Sequence, residues 1–551
     1  MRYFLSFFLA AILFTAPASA TQRSLLSPLP AGATLSTTAD AVAELGRLNR
    51  AATAKGRLRV IVGLRVPFAP EASLPANERL TQRRDIAAAT GMLRGRFASA
   101  VYSRPSAVRS YTTLPFMALE VTPTELAKLA ADPLVVSISE NLKLRSNLAE
   151  SGALIRAPEA WSAGYSGAGQ TVAILDTGVD KNHPFLAGKV VSEACYSASY
   201  CPGGSTSSTT VDSGLPCSLT EVCAHGTHVA GIAAGRGEAA SGIAKDANII
   251  AIQVFSQDPD YPGEAIAWFS DVLAGLNRVF ELRSNYSIAA VNLSLGGGRF
   301  KRTCDSAYPA MTAAIANLRA AGIATVIASG NGGFMDSMSF PGCISQAVSV
   351  GAVSDSDWGL CDDGSPSGVD KITCYSNSAP FLSLLAPGSA IMSSVPGGGY
   401  ETWHGTSMST PHVAGAWALM RQKYPSASVP EILAAFQASG RMVTDDRNPR
   451  SRRPITKPRI DVTAALNSIV TFTVETAGSG SGTVSIATPR GTATCSASCT
   501  LTLAKGTPVK LSARAARGSR FMGWTGVNCR SARCNVSLSE PQTLTATFTQ
   551  R

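Results

Sequence analysis

The chain has 551 residues, 45% of them hydrophobic and 15% charged, with 12 Cys, which excludes a peptide or a disordered tail and leaves room for several domains. The net charge is +11, from 48 Lys+Arg against 37 Asp+Glu. Nine Lys/Arg and two Asp/Glu lie from Ile469 onward, so +7 of that charge belongs to the tail. The main body has no DNA-reading motif and no basic block interleaved with aromatics, so nucleic acid is excluded as a partner.

Arg2, an apolar stretch from Tyr3 to Phe14, and Ala18-Ser19-Ala20 form the pattern of an export signal over residues 1–20, cut after Ala20. The apolar stretch is too short for a membrane span, and no later stretch reaches that length. Export places the Cys in an oxidising compartment, where an even count favours disulfides over zinc. Residues Thr21 to Ala54 read as a mobile leader. A strand then begins at Arg57, an amphipathic helix runs from about Asn77 to Ala98, and strands fall near Tyr111 to Val121. Thr122-Pro123-Thr124-Glu125 opens a helix with a capping box, and Leu134 to Ile138 closes the unit. The β-α-β-α-β order over residues 57–144 is compatible with a ferredoxin-like sandwich. Having no Cys and no His, the unit acts by shape.

From about Ile155, buried strands at Thr171–Leu175, Asn248–Ile252, Ala289–Leu293 and Ala324–Ala328 alternate with helices at His225–Ala234, Glu264–Arg283 and Ala307–Ala321. That alternation predicts a doubly wound α/β fold with a mostly parallel sheet, its active site at the carboxyl ends of the strands. A basic run, Arg447 to Arg459, precedes the last helix at Ile460–Leu466. After Ile469 the composition turns Thr/Ser/Gly-rich, with short strands at Phe472–Val474, Thr483–Ile486, Val509–Leu511 and Leu544–Phe548, a small all-β module over 469–551.

Four of the five His fall in or beside two tight motifs, His225-Gly226-Thr227-His228-Val229-Ala230-Gly231 and Gly405-Thr406-Ser407-Met408-Ser409-Thr410-Pro411-His412-Val413-Ala414-Gly415, while Asp176-Thr177-Gly178 follows a buried strand. Serine is a poor nucleophile unless a base lies within hydrogen-bond reach and a third group holds that base's tautomer. Asp176, His225 and Ser407 supply those roles, and Ser407 at a helix start has free backbone N–H groups beside it. Alone, an Asp-Thr-Gly is usually a turn and a helical His a packed core residue; jointly and in this order they are catalytic. His228, His412 and His183 read as structural, and His404 has no assigned role. The competing class, an adhesion protein using the α/β domain as scaffold, does not account for intact motifs.

On these residues, from about Ile155 to Leu466, the chain resembles the subtilisin-like serine endopeptidases, the subtilases, whose chain order is Asp, His, Ser. The resemblance implies that Asp176 orients, His225 is base then acid, and Ser407 attacks the scissile carbonyl. Asn331, in Ala328-Ser329-Gly330-Asn331-Gly332, is implied to donate its amide to the oxyanion alongside the Ser407 N–H. Ser294, Leu295 and Gly296 resemble the strand that pairs with substrate. Ser329 and Gly330 are further implied substrate-binding residues. Ser339, in Ser339-Phe340-Pro341, aligns with the base of the primary specificity pocket, and being uncharged it points to large uncharged side chains before the cleaved bond, although Asp336 is close. The runner-up is a processing protease of narrow, basic specificity.

The resemblance also implies that residues 21–145 are a propeptide that assists folding, inhibits from within the chain, and is removed by cleavage between Asn141 and Glu150, leaving a catalytic domain over 146–468. The chemistry requires no cofactor; structural calcium enters by resemblance alone, without an EF-hand-like loop. Proximity suggests Cys195–Cys201 and Cys217–Cys223 or crossed versions of them, with Cys304–Cys343, Cys361–Cys374, Cys495–Cys499 and Cys529–Cys534. The tail resembles a repeat-type module of secreted bacterial proteins, read either as a cell-surface or substrate binder or as a stabilising, secretion-linked appendage. The expected product is a monomeric, extracellular, periplasmic or surface-associated protease acting on proteins and peptides.

Overall fold

The computed structural model describes residues 39–98, 108–141, 143–146, 151–218, 221–237, 241–261, 263–356, 367–448, 453–488, 491–529 and 531–551. The export signal, Cys361 and residues 142 and 147–150 of the expected processing region lie outside them.

The N-terminal unit has four antiparallel strands in spatial order Arg109–Ser110, Phe116–Val121, Leu58–Leu64, Val135–Glu140. Alternation along the strands assigns the two faces. Val60, Val62, Met117 and Leu119 pack with the unit's own helices Ala76–Arg96 and Pro123–Ala131, through Ala89, Leu93, Leu126 and Leu129. Ile61, Phe116 and Ala118 point the other way, into the core of the next domain. The capping box at Thr122 and Glu125 forms as expected. The expected mobile leader is corrected in nearly half of its length: Ala39–Lys55 is a helix, because Leu48 and Ala52 fall on one face and are buried against this sheet.

The catalytic-motif region is built on a ten-stranded sheet. Eight neighbouring strands run parallel, in the order Thr456–Arg459, Leu384–Pro387, Val348–Val353, Ala324–Ala328, Ile288–Leu293, Thr171–Asp176, Asn248–Gln253 and Val190–Tyr196. Antiparallel strands Arg441–Thr444 and Ser207–Ser208 close the two edges. Both faces are covered, which is why the central strands read as unbroken apolar runs. Val172 and Ile174 meet the helices His225–Ala234 and Thr406–Lys423, while Ala173 and Leu175 meet Phe269–Leu282 and Pro309–Ala320. The helix expected from Glu264 starts later. Ala265–Trp268 is a strand, paired with Phe255–Gln257 on one side and with Lys143–Ser146 on the other.

The tail forms two four-stranded sheets around their own core, including Phe472, Ile486, Leu511, Trp524 and Phe548. Disulfides link Cys195–Cys201, Cys217–Cys223, Cys304–Cys343, Cys495–Cys499 and Cys529–Cys534, the uncrossed pairings. Cys374 is also disulfide-bonded. No described helix is long and apolar enough to cross a membrane.

Candidate active site

Asp176 ends a central strand, and His225 opens the helix His225–Ala234. Two glycines let them meet: a methyl group at Gly226 would come within 2.1 Å of the Gly178 carbonyl oxygen, and Gly178 itself has φ +101°. Thr177 stitches the two motifs together, its hydroxyl donating to the Cys223 carbonyl at 3.1 Å and accepting from the Gly226 N–H at 2.9 Å. The result is a buried contact of 2.7 Å between His225 Nδ1 and Asp176 Oδ1. The same carboxylate oxygen accepts the Thr177 N–H at 2.7 Å. With Nδ1–H donated to Asp176, the other ring nitrogen of His225 is the one that can act as a base.

Ser407 lies in the first turn of Thr406–Lys423, after Gly405, whose φ of +152° suits glycine. Its hydroxyl donates to the Ser294 carbonyl at 3.2 Å, and the Ser294 hydroxyl donates back to the Ser407 carbonyl. Asn331 Oδ1 accepts both the N–H and the hydroxyl of Thr406, each at 2.9 Å. With its acceptor end held there, the amide donor end of Asn331 is left for the pocket that Asn331 and Ser407 line together.

That pocket is also lined by Leu295, Gly296, Ala328, Gly330, Phe334 and Ser339, none of them charged. Asp336 is not among its lining residues. Lys301 and Arg299 bind Asp336 and hold its carboxyl well below the usual range. Ser329 turns away: it is buried and its hydroxyl donates to the Asn377 carbonyl at 2.9 Å. Beside the pocket, the backbone of Lys143–Ser146 pairs antiparallel with the substrate-strand candidates, Ser146 opposite Leu295 and Arg145 opposite Gly296.

All four remaining histidines are tied to backbone groups, His404 by accepting the Ala390 N–H at 3.4 Å. His228 donates from Nε2 to the Glu401 carbonyl and stacks on Trp403 at 4.2 Å, and burial lowers its pKa to about 3. His412 donates to the Met408 carbonyl, and burial lowers it to about 4. His183 accepts the Phe185 N–H and donates to the Gly399 carbonyl. Burial also lowers the pKa of His404.

Sequence reasoning does not reach three residues here. Thr406 positions Asn331, and its place beside Ser407 is an available signal. Trp403 lies parallel to His225, ring centroids 6.4 Å apart. Asn377 ties the pocket walls, accepting the N–H groups of Gly332 and Phe334 and donating to the Ser329 carbonyl and the Ser339 hydroxyl. Among the described residues no three His, Cys, Asp or Glu side chains converge to hold a metal ion, so the calcium expected by resemblance is assigned no site.

Residues 167–450 match the family model of the subtilases, and residues 470–551 match the divergent InlB B-repeat domain. Over 276 residues the chain is 33% identical to an intracellular serine protease of Paenibacillus polymyxa, covering 49% of this chain and 71% of that protein. It is 30% identical over 331 residues to an alkaline protease of Alkalihalobacillus alcalophilus, covering 59% and 74%. The major intracellular serine protease of Bacillus subtilis (strain 168) is 28% identical over 282 residues, covering 50% and 76%.

Proposed function

Since the chain belongs to the subtilase family and is a serine-type endopeptidase, we propose that Asp176, His225 and Ser407 are its triad and that it is exported as a self-processed zymogen. Ser407 Oγ attacks the peptide carbonyl carbon while His225 takes the hydroxyl proton and Asp176 stabilises the resulting imidazolium. The tetrahedral oxyanion is met by the Asn331 amide and the Ser407 N–H. The C–N bond breaks, the amine leaves with the proton from His225, and water then hydrolyses the acyl ester through the same base. No cofactor takes part.

The observation that carries this reading is the strand Lys143–Ser146, the chain's own segment lying against Leu295 and Gly296 at the edge of the pocket that holds Ser407 and Asn331. An extended peptide added to a strand edge is a general mode of peptide recognition. On this reading residues 1–20 direct export, 21–145 are a ferredoxin-like propeptide that inhibits from within the chain, 146–468 are the catalytic domain, and 469–551 hold the protein at a surface. The unit's strand order and its seat on the catalytic helices support the propeptide assignment. The uncharged pocket and the neutralised Asp336 favour large uncharged side chains before the scissile bond over basic ones. The disulfides favour an extracellular location.

The test is casein hydrolysis by the purified protein. Ser407→Ala lowers the rate by about 10⁴-fold or more, a serine-directed organofluoride blocks the parent, and the variant accumulates uncut. Hydrolysis that survives the substitution overturns the assignment. N-terminal sequencing of the active form finds its start between Asn141 and Glu150.

A further inference from the structure

The two outer faces of the C-terminal module differ. On the sheet that contains Ile469–Ala477 and Gln542–Gln550, the outward positions are mostly threonines, with Glu475 among them. On the other sheet, Lys510 and Arg514 stand exposed on one strand and Arg533 on its neighbour. Across the sheet Lys510 faces Ala487 and Asn535, Arg514 faces Thr483, and Arg533 faces Ser512. Among the described residues no carboxylate stands opposite any of them on these strands. Diagonal neighbours on such a sheet lie about 7–8 Å apart, so three like charges share one patch, an arrangement that costs stability unless an anion answers it.

We propose that this face docks an acidic cell-surface polysaccharide, its uronate carboxylates meeting Lys510, Arg514 and Arg533. The exposed hydroxyl and amide groups of Ser512 and Asn535 between the cations suit sugar hydroxyls. The described outward positions on these strands carry no aromatic ring on which a nucleic-acid base would stack. The proposal rests on the reading of the module as a retention device, and it names the partner's chemistry.

The experiment uses full-length Ser407→Ala protein, so that proteolysis plays no part, and measures retention on immobilised polygalacturonate, with neutral pullulan, oligo(dT) and polyglutamate as comparisons. Polygalacturonate retains the protein at low salt and releases it as salt is raised. Lys510→Gln/Arg514→Gln/Arg533→Gln weakens retention roughly tenfold or more, Lys510→Arg/Arg514→Lys/Arg533→Lys retains it, and Arg517→Gln/Arg520→Gln/Arg551→Gln, an equal change in charge elsewhere on the module, weakens it less than about threefold. Equal losses in the two Gln triples, equal binding to pullulan, or tighter binding to oligo(dT) or polyglutamate than to polygalacturonate would overturn it.

Discussion

The N-terminal unit and the C-terminal module are both small β-rich attachments to one catalytic domain, and they are joined to it in opposite ways. The N-terminal unit has no cysteine, and one face of its sheet is completed by the catalytic domain's helices. Its polar contacts are buried and specific. Arg109 donates to Asp271 at 2.8 Å, Tyr111 donates to the Ser270 carbonyl at 2.9 Å, and Asn141 both accepts from the Ser270 N–H and donates to the Ser270 hydroxyl. The C-terminal module has its own core and two disulfides, and meets its neighbour at its first strand and through pairs such as Ser426 with Thr502 and Tyr424 with the Ile469 carbonyl. The first attachment is shaped to its host; the second stands by itself.

The largest expected effect comes from deletion. If the proposed propeptide role holds, a chain lacking residues 21–145 yields no active enzyme, whereas one lacking 469–551 keeps casein hydrolysis within about threefold. Equal activity in both truncations would break the contrast. Next, Arg109→Ala removes the guanidinium hydrogen-bonded to buried Asp271 and leaves only the field of Arg59, a loss of about 2–5 kcal/mol. The lag before casein hydrolysis should shorten by roughly 30-fold or more, and adding Asp271→Asn should restore part of it; an unchanged lag would mean that apolar contact alone holds the unit.

The smallest effect is in pH dependence. All five His belong to the catalytic domain. His228 and His412 have folded values lowered to about 3 and about 4 from 6.5. Below 6.5 the unfolded chain takes up protons that the folded domain refuses, so stability is intact above 6.5 and is lost as pH falls towards 4. At about pH 5 each histidine accounts for about 2 kcal/mol. Calorimetry should show the catalytic transition moving to lower temperature across that window while the tail's transition is governed by other groups, and His412→Asn should flatten the catalytic slope.

Much of the catalytic fold is legible in the sequence because its strands are covered on both faces and appear as apolar runs, and because Asp176, His225 and Ser407 each sit inside a motif whose glycines and threonines are local. The strands Val348–Val353 and Leu384–Pro387 escape the same reading for want of a helical pattern between them. Val190–Tyr196 is hidden by the half-buried Ser192 and Glu193 of a strand near the sheet edge. Asn377 is illegible for another reason: its partners Ser329 and Ser339 are 48 and 38 residues away, and no short spacing announces the contact. The helix Ala39–Lys55 reads as a leader because its small and polar composition outweighs the few positions that are buried.

The strand Lys143–Ser146 lies between two partners, Leu295–Phe300 and Ala265–Trp268, and hydrogen-bonds to both. A segment held on both edges has no hydrogen bonds left for a helix or sheet of its own. On the proposed function, a target protein bound in the same place must release several residues from its own structure before it can be cut, and its vulnerability follows the free energy of that local opening. Such an enzyme selects its targets by looseness as well as by side chain, cutting hinges, termini and damaged chains long before it reaches a well-packed core.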